Sequence, residues 1–423
     1  MIPAHVRKYL ESRAISGPWK IAGITGGSFD SAVVIPALAE GDNLFATLQS
    51  VAQNPADILS RFLILVVVNN RSDAPLRDRI DNEHTLKRLA AGDPSLNCLQ
   101  LAWVDASTTG LELPAKKGGV GLSRKIGFDL VLTRLNYGSA SPPLISLDAD
   151  TLVRSDYLPA LTRHFLGAKA QGAVIPFCHQ PGSTPEQDRA IRRYELFLRA
   201  YVLGLSRAGS PYAFHTVGSA MACTAEAYVR MGGMNTHIAG EDFYFLQHLA
   251  RTAGIAQVKG TVVYPSARSS NRVPFGTGRS ISRLIAKEER AVLFYQTACF
   301  QILEDWLVLV SENLESEAEE IRASAKKISV HLAVFLDNIK FIMMWGKLRK
   351  NFPDRSTLMS GFHGWFDGLK TMKLIHYLSA GPFPRGEPER AVPGLLQWAG
   401  LEPVEESDQQ LALLRKIQIG EAY

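Results

Sequence analysis

The sequence predicts an α/β protein: an open mixed sheet flanked by helices, with a C-terminal α-helical extension. Three observations carry this. Phe62 to Val68 reads FLILVVV, the continuous apolar run that a central strand buried on both faces requires, and it stops at Asn69-Asn70-Arg71-Ser72-Asp73. Strand-like and helix-like segments alternate along roughly the first 280 residues, as in a largely parallel sheet with helical crossovers. From about Ile281 the strands stop and helical periodicity takes over.

Taken in order, AVVIP (Ala32 to Pro36) is a β-branched run, and LFATLQSVAQ after it has helical spacing. After the FLILVVV strand come a charged helix over Asp78 to Ala91, a strand near Cys98 to Val104 and a helix opening near Gly119. Leu144 to Leu147 is a buried strand running directly into Asp148-Ala149-Asp150. Gly172 to Pro176 and Gln257 to Tyr264 read as further strands, with helices around Pro185 to Leu205 and Asp242 to Thr252. The last forty residues, with GPFPRGEPERAVPG, read as a proline-punctuated arm ending in one short helix. The expected division is an N-terminal extension over 1–30, an α/β domain over 31–280 and a mainly helical region over 281–423.

Composition narrows the classes. The chain has 423 residues, 46% of them hydrophobic and 21% charged, which excludes a disordered protein and allows a sizeable core. A net charge of +5 over this length argues against a protein devoted to nucleic acid. Residues 281–423 hold 17 basic and 19 acidic side chains, so the positive excess lies in the first 280 residues, the sign suited to an anionic ligand. Cys98, Cys178, Cys223 and Cys299 show no metal-site or disulfide spacing and read as reduced cytosolic thiols. The opening residues lack a secretory signal and no apolar run is long enough to span a bilayer, so a cytoplasmic protein is expected.

Asp148-Ala149-Asp150 is the sharpest chemical feature. Two carboxylates leaving a buried strand can hold Mg²⁺ or Mn²⁺, whose other sites would take phosphate oxygens. A bare D-x-D also occurs as a solvated turn. Glu241-Asp242 is the second acidic pair and follows Gly240; it is either a helix N-terminus complementing the dipole or a general base with its neighbour. Lys116, Lys117 and Arg124, around Gly118, Gly119 and Gly121, offer charge and close backbone approach to a phosphate, without a dinucleotide or Walker spacing. Arg268, Arg272 and Arg279 stand in a basic loop that could fold over a diphosphate. His179, His215 and His237 fall in loops, as metal ligands or as ordinary polar residues, and Cys223 reads as a small core residue.

Together AVVIPALAEGDNLFATLQSVAQNP, VVVNNRSD, GGVGLSRKIGFD, SLDADTLV and MGGMNTHIAGEDFYFLQHLARTAG resemble, in order and spacing, the family 2 glycosyltransferases with the GT-A fold. The resemblance covers roughly residues 31 to 280. It implies a Rossmann-like nucleotide-binding half and transfer of a glycosyl group from a nucleotide-diphosphate sugar to an unidentified acceptor hydroxyl. It also implies that Asp148 and Asp150 bind metal and diphosphate, with Asp148 also near the ribose or sugar. Asp242 would be the general base with Glu241 beside it, and Pro36, Glu40, Asn70, Arg124 and Arg272 would lie at the nucleotide sugar. Direct displacement would invert the anomeric centre. Asn69-Asn70 replaces the family's acidic pair, and the Gln-x-x-Arg-Trp motif of processive members is absent, so a non-processive enzyme is implied. A sugar nucleotidyltransferase and a catalytically silent nucleotide-sugar binding or scaffold protein are the competing readings. The first is disfavoured because Pro36 to Asn43 contains no basic residue and one glycine.

The helical region carries apolar residues at helical spacing, among them Leu303, Trp306, Val310, Val334, Phe335 and Ile342. Packing within the protein or against a second copy is one reading. Peripheral contact with the inner face of a membrane is another, because Lys340, Lys347, Arg349 and Lys350 flank FIMMW.

Overall fold

The computed structural model describes residues 1–24, 26–138, 141–167, 169–268, 277–286 and 292–420. The strands are β1 (Ile21–Ala22), β2 (Ser31–Ala37), β3 (Phe62–Asn69), β4 (Gln100–Ala106), β5 (Pro143–Ser146), β6 (Leu152–Val153), β7 (Gly172–Val174), β8 (Met221–Thr224), β9 (Ile255–Gln257) and β10 (Val263–Tyr264). Eight of them form one sheet in the order β1-β4-β3-β2-β5-β8-β7-β9, and β10 pairs with β6 in a second. Every residue of β2 and β3 is buried, as their unbroken apolar sequences require. From β4 through β3 and β2 to β5 the strands are parallel, β8 runs antiparallel between β5 and β7, and β1 is antiparallel at the β4 edge.

The chain steps outward from β2 to β3 to β4 and then returns to the other side of β2 as β5. The strand order therefore reverses between β2 and β5, and the crevice beyond their carboxyl ends is where such sheets hold ligands. The helix Val120–Val131 packs on β2 and β3, and Gly127 sets how closely. A β-carbon at Gly127 would stand 2.3 Å from Val34 Cγ1 and 3.1 Å from Val67 Cγ2. A larger side chain there would lift the helix off the sheet, and with it Arg124, three residues earlier.

Two expectations change, and one strand, β8, was not expected. Gln257 to Tyr264 is not one strand: β9 joins the main sheet beside β7, β10 joins β6, and Gly260 at φ +80° lies between them. β8, with the sequence MACT, has too weak a β signal to be read in advance. The last forty residues hold two helices, Pro388–Trp398 and Ser407–Ile419, rather than one. Pro388 sits in the first turn, where a missing N–H costs nothing, so proline here starts a helix instead of marking an arm.

The chain divides into two compact units, Met1–Ile191 with Thr216–Ser282 and Gln418–Tyr423, and Arg192–His215 with Arg283–Ile417. The second is helical. Its core gathers Trp306, Phe341, Trp345 and Phe362, with the Trp306 and Phe341 rings edge to face at 5.2 Å. Burial of each such ring stabilises by roughly 1.5–3 kcal/mol. Leu196 and Leu205, from the 192–215 stretch, belong to the same core. Fully buried Glu195 is neutralised by Arg199 at 2.8 Å and by both arms of Arg415, at 2.7 and 2.9 Å. Ser329, Asp354 and Asp367 cap three of the helices, each accepting a first-turn N–H. Cys98, Cys178, Cys223 and Cys299 form no disulfide, and no described helix is long and apolar enough to cross a membrane.

Candidate functional site

The site forms in the first unit, at the ends of β2 and β5. After β2 the chain turns through Ala39, whose φ of 49° is rare for a residue with a side chain. Asn82 holds this turn. Its Oδ1 accepts the Ala39 N–H at 2.9 Å, while its Nδ2 donates to the Asn69 carbonyl at 2.9 Å and to Asn70 Oδ1 at 2.8 Å. Glu40 follows directly and is nearly buried.

Beyond β5, buried Ala149 is anchored through its carbonyl, which accepts from Thr47 Oγ1 at 3.0 Å, and the two aspartates flank it. Arg268 reaches in from the segment after β10. Its Nε meets Asp150 Oδ2 at 2.9 Å and its Nη2 meets Glu40 Oε1 at 2.5 Å. Gln180 completes this corner, donating to the carbonyls of Asp150 at 2.9 Å and Tyr264 at 2.7 Å.

Arg124 organises the other corner. Only 2% exposed, it donates from Nε to Ser146 Oγ at 2.9 Å, from Nη2 to Asp148 Oδ1 at 2.5 Å, and from Nη1 to Glu241 Oε1. One guanidinium thus joins the aspartate loop to the acidic pair about 90 residues later. Glu241 and Asp242 open the helix Glu241–Ala253, where the N-terminal dipole favours carboxylates. Their approach depends on Gly121. A β-carbon there would lie 2.5 Å from the His237 carbonyl and 3.0 Å from that of Asn235. Asn235 also fixes the acidic pair, donating from Nδ2 to the Glu241 carbonyl at 2.8 Å.

The electrostatics follow from burial and from five carboxylates sharing two guanidiniums. Burial pushes Asp150 up to about 6; Arg268 opposes the rise, and Glu40 and Asp148 add to it. Burial likewise pushes Glu241 up to about 7 against the pull of Arg124. Asp242 is raised by burial, again opposed by Arg124, and its Oδ1 accepts the Phe243 N–H at 2.8 Å. Burial works to lower Arg124, but the charges of Asp148, Glu241 and Asp242 outweigh it and hold the group above its ordinary range.

This excess of buried negative charge suits a hard divalent cation. Asp148 and Asp150 supply oxygen donors of the right chemistry. Among the described residues no three His, Cys, Asp or Glu side chains converge as a metal-holding group, so a cation there would draw its remaining ligands from phosphate and water. His179, His215 and His237 add no such group: His179 packs edge-on to Phe177, and His237 stacks on Tyr244 at 4.5 Å.

Other expected residues are placed differently. Pro36 is buried within β2, in register with Val67. Asn70 is 1% exposed, and its Nδ2 donates to the carbonyls of Arg71 at 3.1 Å and Ser107 at 3.3 Å. It builds the loop that ends β3 instead of presenting a free amide. Lys116 and Lys117 are exposed, and Arg124 spends its donors on carboxylates and Ser146 instead of holding a free phosphate site. Arg272 lies outside the described residues, as does the side chain of Arg279. Ser146, Gln180 and Asn235 were not visible in the sequence, because a single polar residue that holds another group in place leaves no periodic or spacing signal.

No family model matches the chain, and no curated protein sequence matches it. Among solved structures it is similar to residues 1–349 of Staphylococcus aureus TarS with UDP-GlcNAc, at 12% identity, covering 80% of this chain and 90% of that one with a TM-score of 0.37. A mannosyltransferase from Pyrobaculum calidifontis, in complex with GDP-Man and Mn²⁺, gives 14% identity, 98% and 92% coverage and a TM-score of 0.38. Glucosyl-3-phosphoglycerate synthase of Mycobacterium tuberculosis gives 14%, 71% and 83%, and 0.32.

Proposed function

We propose that the chain is a non-processive glycosyltransferase of the GT-A, family 2 type, moving a sugar from a nucleotide-diphosphate donor to an acceptor hydroxyl with inversion. One observation carries the reading. Buried Arg124 draws Asp148 and Glu241 to a single guanidinium at the carboxyl end of β5, so the two acidic pairs singled out in the sequence form one site.

In this reading Asp148 and Asp150 hold Mn²⁺ or Mg²⁺, which when bound would neutralise charge on the leaving diphosphate. Asp242 takes the proton of the acceptor hydroxyl. The hydroxyl oxygen then bonds to the anomeric carbon as that carbon's bond to the diphosphate oxygen breaks, with the electron pair leaving on the diphosphate. A carboxylate raised by burial is a stronger base than an exposed one, which favours Asp242 for this step. Glu241 and Arg124 position it, and Arg268 stands beside Asp150 and Glu40 where a diphosphate would arrive. The Asp148 and Arg124 link couples donor binding to the base.

The test is turnover of a panel of nucleotide-diphosphate sugars with Mn²⁺ and with chelator. Release of nucleoside diphosphate from at least one donor, suppressed by chelator, is expected. Absence of both turnover and metal-dependent donor binding across the panel would overturn the reading.

A further inference from the structure

A second feature of the first unit is an open surface depression of about 490 Å³ lined by residues that include Arg13, Lys125, Asn235, Thr236 and His237. That volume suits a small molecule. No carboxylate lines it, although Arg13 and Lys125 both do. Lys125 is fully engaged: its ammonium meets Asp129 Oδ2 at 2.8 Å, the Tyr9 hydroxyl at 3.0 Å and the Arg13 carbonyl at 3.2 Å. Asp129 is shared further, accepting from the hydroxyls of Tyr9 at 2.8 Å and Tyr228 at 2.7 Å and from the Ile15 N–H at 2.7 Å. This buried cluster fixes the end of the N-terminal helix Ala4–Ser12 and with it the Arg13 backbone.

The Arg13 side chain is left over. It is exposed and makes no hydrogen bond or ion pair among the described residues, and its Nη1 lies 3.2 Å from where a β-carbon on Gly232 would stand. A fork of donors at the rim of a depression lined by no carboxylate matches an oxyanion. The depression also abuts the segment that precedes the acidic pair. Its lining includes the loop leading into Glu241-Asp242, tied to the pair by the Asn235 to Glu241 hydrogen bond and by the His237 ring stacked on Tyr244, two residues beyond Asp242.

We propose that this depression binds the oxyanion group, a phosphate or a carboxylate, of the acceptor whose hydroxyl Asp242 deprotonates. The acceptor assignment rests on the transferase reading; the oxyanion assignment rests on the depression alone.

Calorimetric titration of the full chain with glycerol phosphate, glycerate and neutral glycerol tests it, and the first two probes separate phosphate from carboxylate. Binding of at least one anion, none of glycerol, a loss of about tenfold or more in Arg13→Gln and partial recovery in Arg13→Lys, which restores the charge but not the fork, are expected. Arg13 touches no group of the catalytic machinery, so metal-dependent hydrolysis of the donor should be unchanged in Arg13→Gln, whereas KM for an anionic acceptor should rise with kcat kept. Absence of anion binding, or anion binding equal in the parent and Arg13→Gln, overturns the oxyanion site. Transfer to glycerol as efficient as to both anions overturns the acceptor role. Arg13-dependent anion binding in a chain that turns over no donor would sink the transferase reading and leave the oxyanion site standing.

Discussion

Arg124 is a buried charge with three acceptors around it. Its glycine-bearing segment reads as a phosphate cradle, but every nitrogen of its guanidinium is spent on Ser146, Asp148 or Glu241. Removing a buried charge from such a set strands the others, at a cost of about 3–5 kcal/mol. Arg124→Met should therefore lower stability by that order in urea unfolding. Arg124→Lys should recover part of the stability but little activity, since an ammonium cannot span three acceptors in a plane. Asp242 makes the pH prediction at this scale. A base must be ionised, and burial raises this carboxyl above the usual aspartate range, so kcat should climb with pH until the group is fully deprotonated and fall away below. A pH profile flat down to pH 4 would remove Asp242 from that role.

At the scale of elements, the strands that position the site were legible and the contacts that aim it were not. β3 and β5 declare themselves as apolar runs that stop at polar residues and β2 as a β-branched run reaching Pro36, because burial on both faces leaves no alternation. β8 and the split between β9 and β10 did not, since two- to four-residue strands depend on their partners more than on their own propensity. The helix Val120–Val131 shows the coupling between packing and site. Gly127→Val would drive side-chain atoms into Val34 and Val67, where strain typically costs about 1–3 kcal/mol, and would displace Arg124. Thermal unfolding and donor turnover should both fall. An unchanged turnover in a destabilised variant would separate the helix's packing from its service to the site.

Over the whole molecule, the run of C-terminal helices was readable from its helical periodicity, but the contribution of 192–215 to the helical unit was not. That stretch looks like any other part of the long helix Pro185–Arg207 until its contacts are known. A chain truncated after residue 282 would expose Leu196 and Leu205, whose partners lie in the lost helices. It should therefore be poorly soluble, whereas Trp306→Ala in the full chain should cost about 3–5 kcal/mol and leave a folded protein. Recovery of a soluble, cooperatively unfolding 1–282 fragment would contradict this assignment.

In the proposed enzyme Asp148-Ala149-Asp150 and Glu241-Asp242 form one transferase site with separate duties. Comparing Asp242→Asn with the parent enzyme, by transfer rate and by nucleotide binding in the same Mn²⁺ buffer, tests it most directly. A loss of about 10²–10⁴ in kcat with nucleotide affinity kept is expected; transfer at the parent rate, or loss of nucleotide binding along with transfer, would show that Asp242 is not the base of a shared site.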